Sequence, residues 1–280
     1  MSPHPLTIGV TTFNRREILE TVAASLAQVD RLDRARIWII DDCSSEFDAD
    51  FLQHLFPRAE VFRAAENSGG ADQAMYRLFE RFRSHSSGYL LNLDADLLAS
   101  RGLVDQCLHI IEGARAAREP SLFSVFNTAS HPAIGTDGEF VLKRSVGAAG
   151  TLWEHGLLAD MLGNVPVSRK FDWDWSAYLT KRGVPIRVTR RSYVQHIGRV
   201  GQHSRSFAGM DHGIGFEDYE GRNLAAFLDH TREGLVQMLA EQNARHGKLS
   251  EAMVQLTRVV QSQAQVINEL IGELVALEKR

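Results

Sequence analysis

The sequence predicts an α/β fold in which a mostly parallel sheet is flanked by helices and is followed by a long C-terminal helix. Two patterns predict the sheet: strand-like and helix-like segments alternate along the first part of the chain, and polar residues follow each of the first four strand-like segments. A third pattern, an apolar heptad repeat, predicts the C-terminal helix. With 280 residues, the chain is long enough for one large domain and an appended segment.

Four strands and three helices are predicted in the first part of the chain. Short aliphatic runs predict the strands, and apolar residues spaced three or four positions apart predict the helices. In chain order these are strand 6–10, helix 16–28, strand 37–40, helix 50–56, strand 59–63, helix 71–82 and strand 89–93. Strands that alternate with helices form parallel sheets, and the ligands of such sheets bind beyond the carboxyl ends of the strands.

Polar residues cluster directly after each of these four strands. The segments are Thr11–Arg15, Asp41–Ser45, Glu66–Gly70 and Asp94–Asp96. Because the carboxyl ends of parallel strands meet at one edge of the sheet, we expect the four segments to form one site. Asp94 and Asp96 lie two positions apart at a strand end, so both carboxylates can face one ligand. Such carboxylates hold Mg²⁺ or Mn²⁺ against the oxygens of a nucleotide diphosphate.

The pattern after Pro120 is less regular. It predicts strands over 123–126, 139–142 and 186–189, and helices over 152–162 and 175–182. The segment from Gly198 to Gly221 is rich in glycine, which is typical of a loop near a ligand; a connector to the C-terminal helix is the alternative. We expect two domains, residues 1–221 and residues 222–280.

The C-terminal segment carries a heptad repeat. One position of the repeat holds Met253, Val260, Ile267 and Leu274, and the other holds Leu249, Leu256, Gln263, Leu270 and Leu277. This pattern favours a two-stranded parallel coiled coil, so we expect a homo-oligomer formed through residues 249–277. The alternative is a single amphipathic helix that packs on its own domain. Since the helical pattern continues to Arg280, a further domain or partner beyond that residue is also an expectation.

Composition and charge narrow the class of protein. A net charge of −4 gives no reason to expect nucleic acid as a partner. Cys43 and Cys107 lie in different predicted elements, so neither a disulfide framework nor zinc-ligand spacing is present. The first residues show no secretory pattern, and no apolar run is long enough to cross a bilayer. We therefore predict a cytoplasmic location, with the inner face of the membrane as an alternative.

The segment from Leu6 to Ser204 resembles the family 2 glycosyltransferases of the GT-A fold. The four polar segments described above carry the resemblance, together with two segments further along the chain. These two are Phe171-Asp172-Trp173-Asp174-Trp175-Ser176 and Val194-Gln195-His196-Ile197-Gly198. The resemblance implies a GT-A type, Rossmann-like sheet and an enzyme that uses a nucleotide-sugar donor and inverts the anomeric centre.

The resemblance also implies the residues of the donor site. The residues expected to contact the nucleotide sugar are Thr11, Phe13, Asn14, Arg15, Asp42, Asn67, Gly69 and Asp94. Among them, Phe13 would lie against the base, Asp42 would accept a hydrogen bond from the base edge, and Asp94 would lie near the ribose. Asp96 is expected to bind the divalent metal directly, with His196 completing its coordination. If the glycine-rich loop closes, Arg199, His203 and Arg205 would contact phosphates.

The catalytic base implied by the resemblance is Asp172. The family has a Glu before this Asp, whereas this chain has Phe171. Asp172 would take the proton of the acceptor hydroxyl while the metal neutralises the leaving diphosphate. The residue could instead cap the helix that follows, although Asp174 is the better candidate for a cap. Trp173 and Trp175 are candidates for stacking on an acceptor sugar, and core packing is the alternative for both.

The predicted function is therefore inverting transfer of a sugar from a nucleotide diphosphate donor to a hydroxyl of a glycan acceptor. The resemblance implies a polysaccharide or a lipid-linked glycan as the acceptor, and Mn²⁺ or Mg²⁺ as the cofactor. Two alternatives remain. One is a nucleotidyltransferase that makes nucleotide sugars, and the other is a catalytically degenerate domain that serves as a scaffold.

Overall fold

A computed structural model describes residues 4–198, 212–216, 236, 239–240, 242–263 and 265 of the protein. They form the α/β fold that the sequence predicts, with a long C-terminal helix. In chain order the elements are β1 (Leu6–Thr12), α1 (Arg16–Leu26), β2 (Ala35–Asp41), α2 (Ala49–Leu55), β3 (Ala59–Arg63), α3 (Ala71–His85), β4 (Tyr89–Asp94), β5 (Leu97–Ala99), α4 (Leu103–Ala117), β6 (Leu122–Ser124), β7 (Ala133–Asp137), β8 (Phe140–Lys143), β9 (Thr151–Glu154), α5 (His155–Asn164), α6 (Phe171–Lys181), β10 (Ile186–Thr189), β11 (Val194–His196) and α7 (242–263).

Nine strands form the main sheet, in the order β3-β2-β1-β4-β9-β6-β10-β8-β7. The first four are parallel to one another, as expected for strands that alternate with helices. β9 runs antiparallel to both of its neighbours, β4 and β6, and β8 runs antiparallel to β10 and β7. β6 and β10 are parallel to each other. In this nine-stranded sheet, all strands except β8 and β9 therefore share one direction, which confirms a mostly parallel sheet.

Helices cover both faces of this sheet. In β2, Ile37 and Ile39 pack with α1, α2 and α4 on one face, whereas Trp38 and Ile40 pack with α3, α5 and α6 on the other. The split follows from the alternation of side chains along a strand. Both faces of the sheet are therefore buried, which explains why its central strands read as continuous apolar runs.

A small second sheet holds the site together. β5 pairs with β11 in antiparallel register, so that His196 lies opposite Leu97. One further hydrogen bond, from the Ile197 amide to the Asp96 carbonyl at 2.8 Å, extends this ladder. The turn that carries Asp96 is thus fixed to the strand that carries His196.

Two predicted helices differ most from the structure at the residues where they begin. The helix predicted over 152–162 is wrong in its first residues, because Thr151–Glu154 forms β9 and the helix begins at His155. Leu152 and Trp153 are both fully buried, since β9 lies between β4 and β6, and a strand that is apolar on both faces resembles a buried helix in sequence. The helix predicted over 175–182 begins four residues earlier, at Phe171.

α7 exposes its apolar heptad positions. Leu249, Met253, Leu256 and Val260 are between 56% and 70% exposed. Within the described residues, these four side chains do not pack against the domain, and packing on the domain stays the alternative to the coiled coil. Ile267, Leu270, Leu274 and Leu277 lie outside the described residues, and so does the predicted domain boundary after residue 221. The coiled coil stays a prediction.

Among the described helices, none combines the length and the apolar character that a membrane span requires.

Candidate active site

The four polar strand-end segments meet at one cavity, as the sequence predicts. The cavity has a volume of about 460 Å³ and lies at the carboxyl ends of β1, β2 and β4, beside the start of α3. Its lining includes the predicted residues Thr11, Phe13, Arg15, Asp42, Asn67, Gly69, Asp94, Asp96 and His196. A larger cavity of about 560 Å³ lies near the end of α1 and the start of β3, and contains none of the predicted site residues.

Asp96 makes two ion pairs at the cavity, one with Arg15 and one with His196. Its Oδ2 atom lies 2.8 Å from Arg15 Nη1 and 3.3 Å from His196 Nε2, and the Asp96 side chain is 9% exposed. Gly198 packs directly against this group, since a Cβ atom added there would lie 2.0 Å from the same oxygen. The carboxylate is thus enclosed by two cationic side chains and a backbone segment that only glycine can form without displacing them.

Burial and pairing shift the pKa values of this cluster in opposite directions. Burial alone would raise the pKa of Asp96, but His196 and then Arg15 outweigh it and hold this pKa well below its usual range. Burial lowers the pKa of His196, but the charge and the hydrogen bond of Asp96 outweigh it and raise this pKa above its usual value. The ion pair therefore favours an ionised carboxylate beside a protonated imidazole.

Asp94 differs from Asp96 in its environment. Burial and, to a smaller extent, the charge of Asp96 raise the pKa of Asp94 to about 6. Its carboxylate accepts a long hydrogen bond from the Thr11 hydroxyl, at 3.4 Å. The two carboxylates of the motif are therefore not equivalent: Asp96 is strongly ionised, and Asp94 carries its negative charge less readily.

An unusual backbone turn places Arg15 at the cavity. Asn14 and Arg15 both have positive φ values, 52° and 64°, which are uncommon for residues other than glycine. The Asn14 side-chain oxygen stabilises this turn by accepting hydrogen bonds from the amides of Ser45 at 2.8 Å and Glu46 at 3.2 Å. Asn14 is absent from the cavity lining. Its contacts join the loop after β1 to the loop after β2 and so position Arg15.

Asp42 holds the third polar segment in place. Its carboxylate accepts hydrogen bonds from the Asn67 side chain at 3.0 Å, from the Ser68 amide at 3.0 Å and from the Ser68 hydroxyl at 2.7 Å. Arg77, on α3, adds an ion pair at 2.9 Å. Arg77 is not among the residues predicted from the sequence. Its place in the first two turns of the helix that follows the Asn67–Gly70 segment is the signal that could have revealed it.

Asp172 lies in a second cavity that adjoins the first. This cavity has a volume of about 420 Å³, and Asp94 and His196 line both cavities. Arg169, Lys170 and Trp173 also line it, and were not predicted as a group. Asp172 is the second residue of α6, and its Oδ1 accepts from the Trp173 amide at 2.8 Å. The helix begins after Lys170, so Asp172 is not its N-cap residue.

The replacement of Glu by Phe171 is explained by packing. Phe171 is fully buried and contacts the aromatic rings of Tyr76, Phe79 and Trp175. A carboxylate at this position would lie in an apolar core without water. Trp175 belongs to the same core, whereas Trp173 is 55% exposed and has the His131 ring 5.6 Å away. Phe171 therefore anchors the start of α6 and leaves Asp172 and Trp173 facing the second cavity.

Asp96 and His196 suit a metal ion whose remaining coordination positions are filled by a bound ligand. Within the described ranges, no three His, Cys, Asp or Glu side chains form a cluster that could hold a metal ion alone. Asp96 Oδ1 and His196 Nδ1 are nevertheless buried, with no hydrogen-bond partner among the described residues. Mg²⁺ and Mn²⁺ in nucleotide sites commonly take one or two carboxylates and fill the other positions with phosphate and water. Arg199, His203 and Arg205 lie outside the described residues.

Comparison with known proteins agrees with this description. Residues 7–117 match the family model described as "Glycosyl transferase family 2". A crystal structure of S. aureus TarS 1-349 in complex with UDP-GlcNAc has a TM-score of 0.53 and 17% identity; the match covers 72% of this chain and 60% of that one. A crystal structure of S. aureus TarS has a TM-score of 0.50 and 17% identity, with 68% and 36% covered.

The match spans 60% and 36% of these two structures, less than two thirds in both cases, and the likeness concerns the fold. No curated protein matches the sequence significantly.

Proposed function

We propose that this chain, whose residues 7–117 match the family 2 glycosyltransferase model, transfers a sugar from a nucleotide diphosphate donor to a hydroxyl of a glycan acceptor, with inversion. The observation that carries the proposal is the cavity at the strand ends, where Phe13, Arg15, Asp94 and Asp96 converge. UDP-GlcNAc is the ligand named for a protein of similar fold, which makes a UDP-sugar the first donor to test.

In this proposal the cavity at the strand ends binds the nucleotide sugar and is called the donor cavity. Each of its sides offers a different chemical group. Phe13 is 45% exposed and can stack on the base, while Thr11 and Asp94 can accept or donate hydrogen bonds near the ribose. Asp42 already accepts from Asn67, Ser68 and Arg77, so its main role in the proposal is to shape the loop that borders the nucleotide.

Asp96 and His196 would hold a divalent metal on the diphosphate side of the cavity. When bound, such an ion supplies a Lewis acid that neutralises the charge on the leaving diphosphate. Arg15 is the nearest further cation, since its guanidinium contacts Asp96 at 2.8 Å and lines the same cavity. A cation in this position can bind phosphate oxygens and orient them.

Asp172 would act as the general base. It lies in the cavity that adjoins the donor cavity through Asp94 and His196, which is where an acceptor hydroxyl has to approach the sugar. A carboxylate that takes the acceptor proton contributes about 10²- to 10⁴-fold in rate. The exposed indole of Trp173 offers a surface for an acceptor sugar beside this base.

The proposal can be tested with two acid-to-amide variants and one control. Binding of UDP, GDP and dTDP is measured by calorimetry with and without Mn²⁺, and turnover is measured as Mn²⁺-dependent hydrolysis of the matching nucleotide sugar. We expect Asp96→Asn to lose metal-dependent binding. Asp172→Asn should keep binding but lose about 10²-fold or more in turnover.

Asp174→Asn is the matched control for both variants. Asp174 lies two residues after Asp172 on α6, but its carboxylate is exposed and accepts from the Ser168 hydroxyl. We expect this variant to bind and turn over like the wild type. Nucleotide binding without turnover under any condition would favour the scaffold, and release of pyrophosphate from a nucleoside triphosphate and a sugar phosphate would favour the nucleotidyltransferase.

A further inference from the structure

Arg15 is paired with Asp96, the carboxylate proposed to bind the divalent metal. Its Nη1 atom lies 2.8 Å from Asp96 Oδ2, the oxygen that His196 also approaches. Arg15 Nη2 is buried and has no hydrogen-bond partner among the described residues, and the same holds for Asp96 Oδ1. Among the described residues, this ion pair therefore leaves one carboxylate oxygen of Asp96 and one terminal nitrogen of Arg15 without a hydrogen bond.

The backbone around Arg15 keeps its side chain at this position. Arg15 has left-handed φ and ψ values of 64° and 48°, and it precedes α1 without making a side-chain cap to that helix. A Cβ at Gly198 would lie 2.5 Å from Arg15 Nη2, so the backbone at Gly198 packs directly against the guanidinium. Strained backbone that the surroundings enforce is found most often where a side chain has a specific task.

We propose that Arg15 is a place-holding cation that links metal binding to nucleotide binding. In the free protein it neutralises Asp96 and competes with a divalent ion for this carboxylate. When a nucleotide diphosphate brings the metal, Arg15 leaves Asp96, and both of its terminal nitrogens become available to the phosphate oxygens. The metal thus binds weakly alone and tightly with the nucleotide. This inference rests on the proposed donor site, but not on transfer of a sugar.

The linkage has a direction that can be measured with the metal alone. Binding of Mn²⁺ is titrated by electron paramagnetic resonance on the full chain, without nucleotide. In the wild type, Mn²⁺ can bind Asp96 only when the charge-assisted hydrogen bond between Arg15 and Asp96 is broken, and Arg15→Gln lacks this bond. We therefore expect Arg15→Gln to bind Mn²⁺ about tenfold more tightly than the wild type. Loss of fold cannot produce this gain in affinity. With the nucleotide present, we expect the affinity of the same variant for that nucleotide to fall.

Arg16→Gln is the matched control, since it removes the same charge one residue along the chain. Arg16 pairs with Glu20 on the exposed face of α1, with 53% and 47% of the two side chains exposed. We expect this variant to bind Mn²⁺ like the wild type. Arg15→Lys keeps the charge but lacks the forked geometry of the guanidinium, so its Mn²⁺ affinity should lie between those of the wild type and Arg15→Gln.

The outcomes separate this inference from the proposed function. If neither Arg15 variant binds Mn²⁺ more tightly than the wild type, or if Arg16→Gln shows the same gain, the inference is wrong even if the protein transfers sugars. A tenfold gain confined to the Arg15 variants supports it even if no sugar is transferred.

Discussion

The buried carboxylates at the ends of β2 and β4 illustrate how residues of one type acquire different roles. Asp41 is fully buried and pairs with Arg63 at 3.0 Å, so it holds the loop after β2. Asp42 holds the Asn67–Gly70 segment, and Asp96 faces the cavity with an unpartnered oxygen among the described residues. The sequence predicts that these acids gather at one edge, because the strand pattern alone implies it. Their partners lie far along the chain, so their individual roles could not be predicted.

Cys43 and Cys107 should differ strongly in reactivity. Burial raises the pKa of the Cys107 thiol to about 12, and the side chain is fully buried, whereas Cys43 is partly exposed. Since the thiolate is the reactive form, we expect one fast-reacting thiol in the native protein and two in denaturant, measured with a chromogenic disulfide reagent at pH 8. Cys43→Ser should abolish the fast reaction, and Cys107→Ser should leave it intact. Two equally fast native thiols would contradict the burial of Cys107.

Strand and helix boundaries were predicted best where the two periodicities are distinct. β3 and β10 have the bounds that the sequence predicts, and β1, β2 and β4 differ by one or two residues at their ends. β9 was read as helix because both of its faces are buried. β7 escaped prediction for the opposite reason: all five of its residues are exposed, so no alternation marks it as a strand.

The contact between β1 and α3 gives a test of packing at the level of elements. Gly9 lies under Leu78, and an added Cβ would come within 2.5 Å of Leu78 Cδ1, which is fully buried. We expect Gly9→Ala to lower the free energy of unfolding by about 1–3 kcal/mol through overpacking. Gly113, inside α4, has no atom within 4 Å of an added Cβ.

Gly113→Ala is therefore the matched control, and we expect it to stabilise the protein by about 0.5–1 kcal/mol. Urea denaturation followed by circular dichroism measures both changes. Equal effects of the two substitutions would show that β1 and α3 are not packed as closely as described.

At the scale of the whole molecule, α7 carries an apolar stripe that is exposed in the part of the chain that the structure describes. Leu256 is 65% exposed within this stripe, and an exposed heptad of this kind is typically buried against a second helix. We expect the full chain to be a dimer in sedimentation equilibrium and Leu256→Asp to shift it to the monomer. Gln255→Asp, which adds the same charge on the adjacent exposed position, should leave the dimer intact. A wild-type monomer at all concentrations would refute the coiled coil.

The ladder between β5 and β11 joins segments that are far apart in the sequence, and such contacts form slowly because a long loop has to close first. During refolding, burial of Trp38 in the main sheet should therefore precede recovery of nucleotide binding, which stopped-flow fluorescence can measure.

The segment that matches the family ends at residue 117, well before His196 joins Asp96. A chain still emerging from the ribosome would thus hold most of the donor cavity without the strand that completes it. If the proposed function is correct, the donor site would be complete only after synthesis has passed that strand.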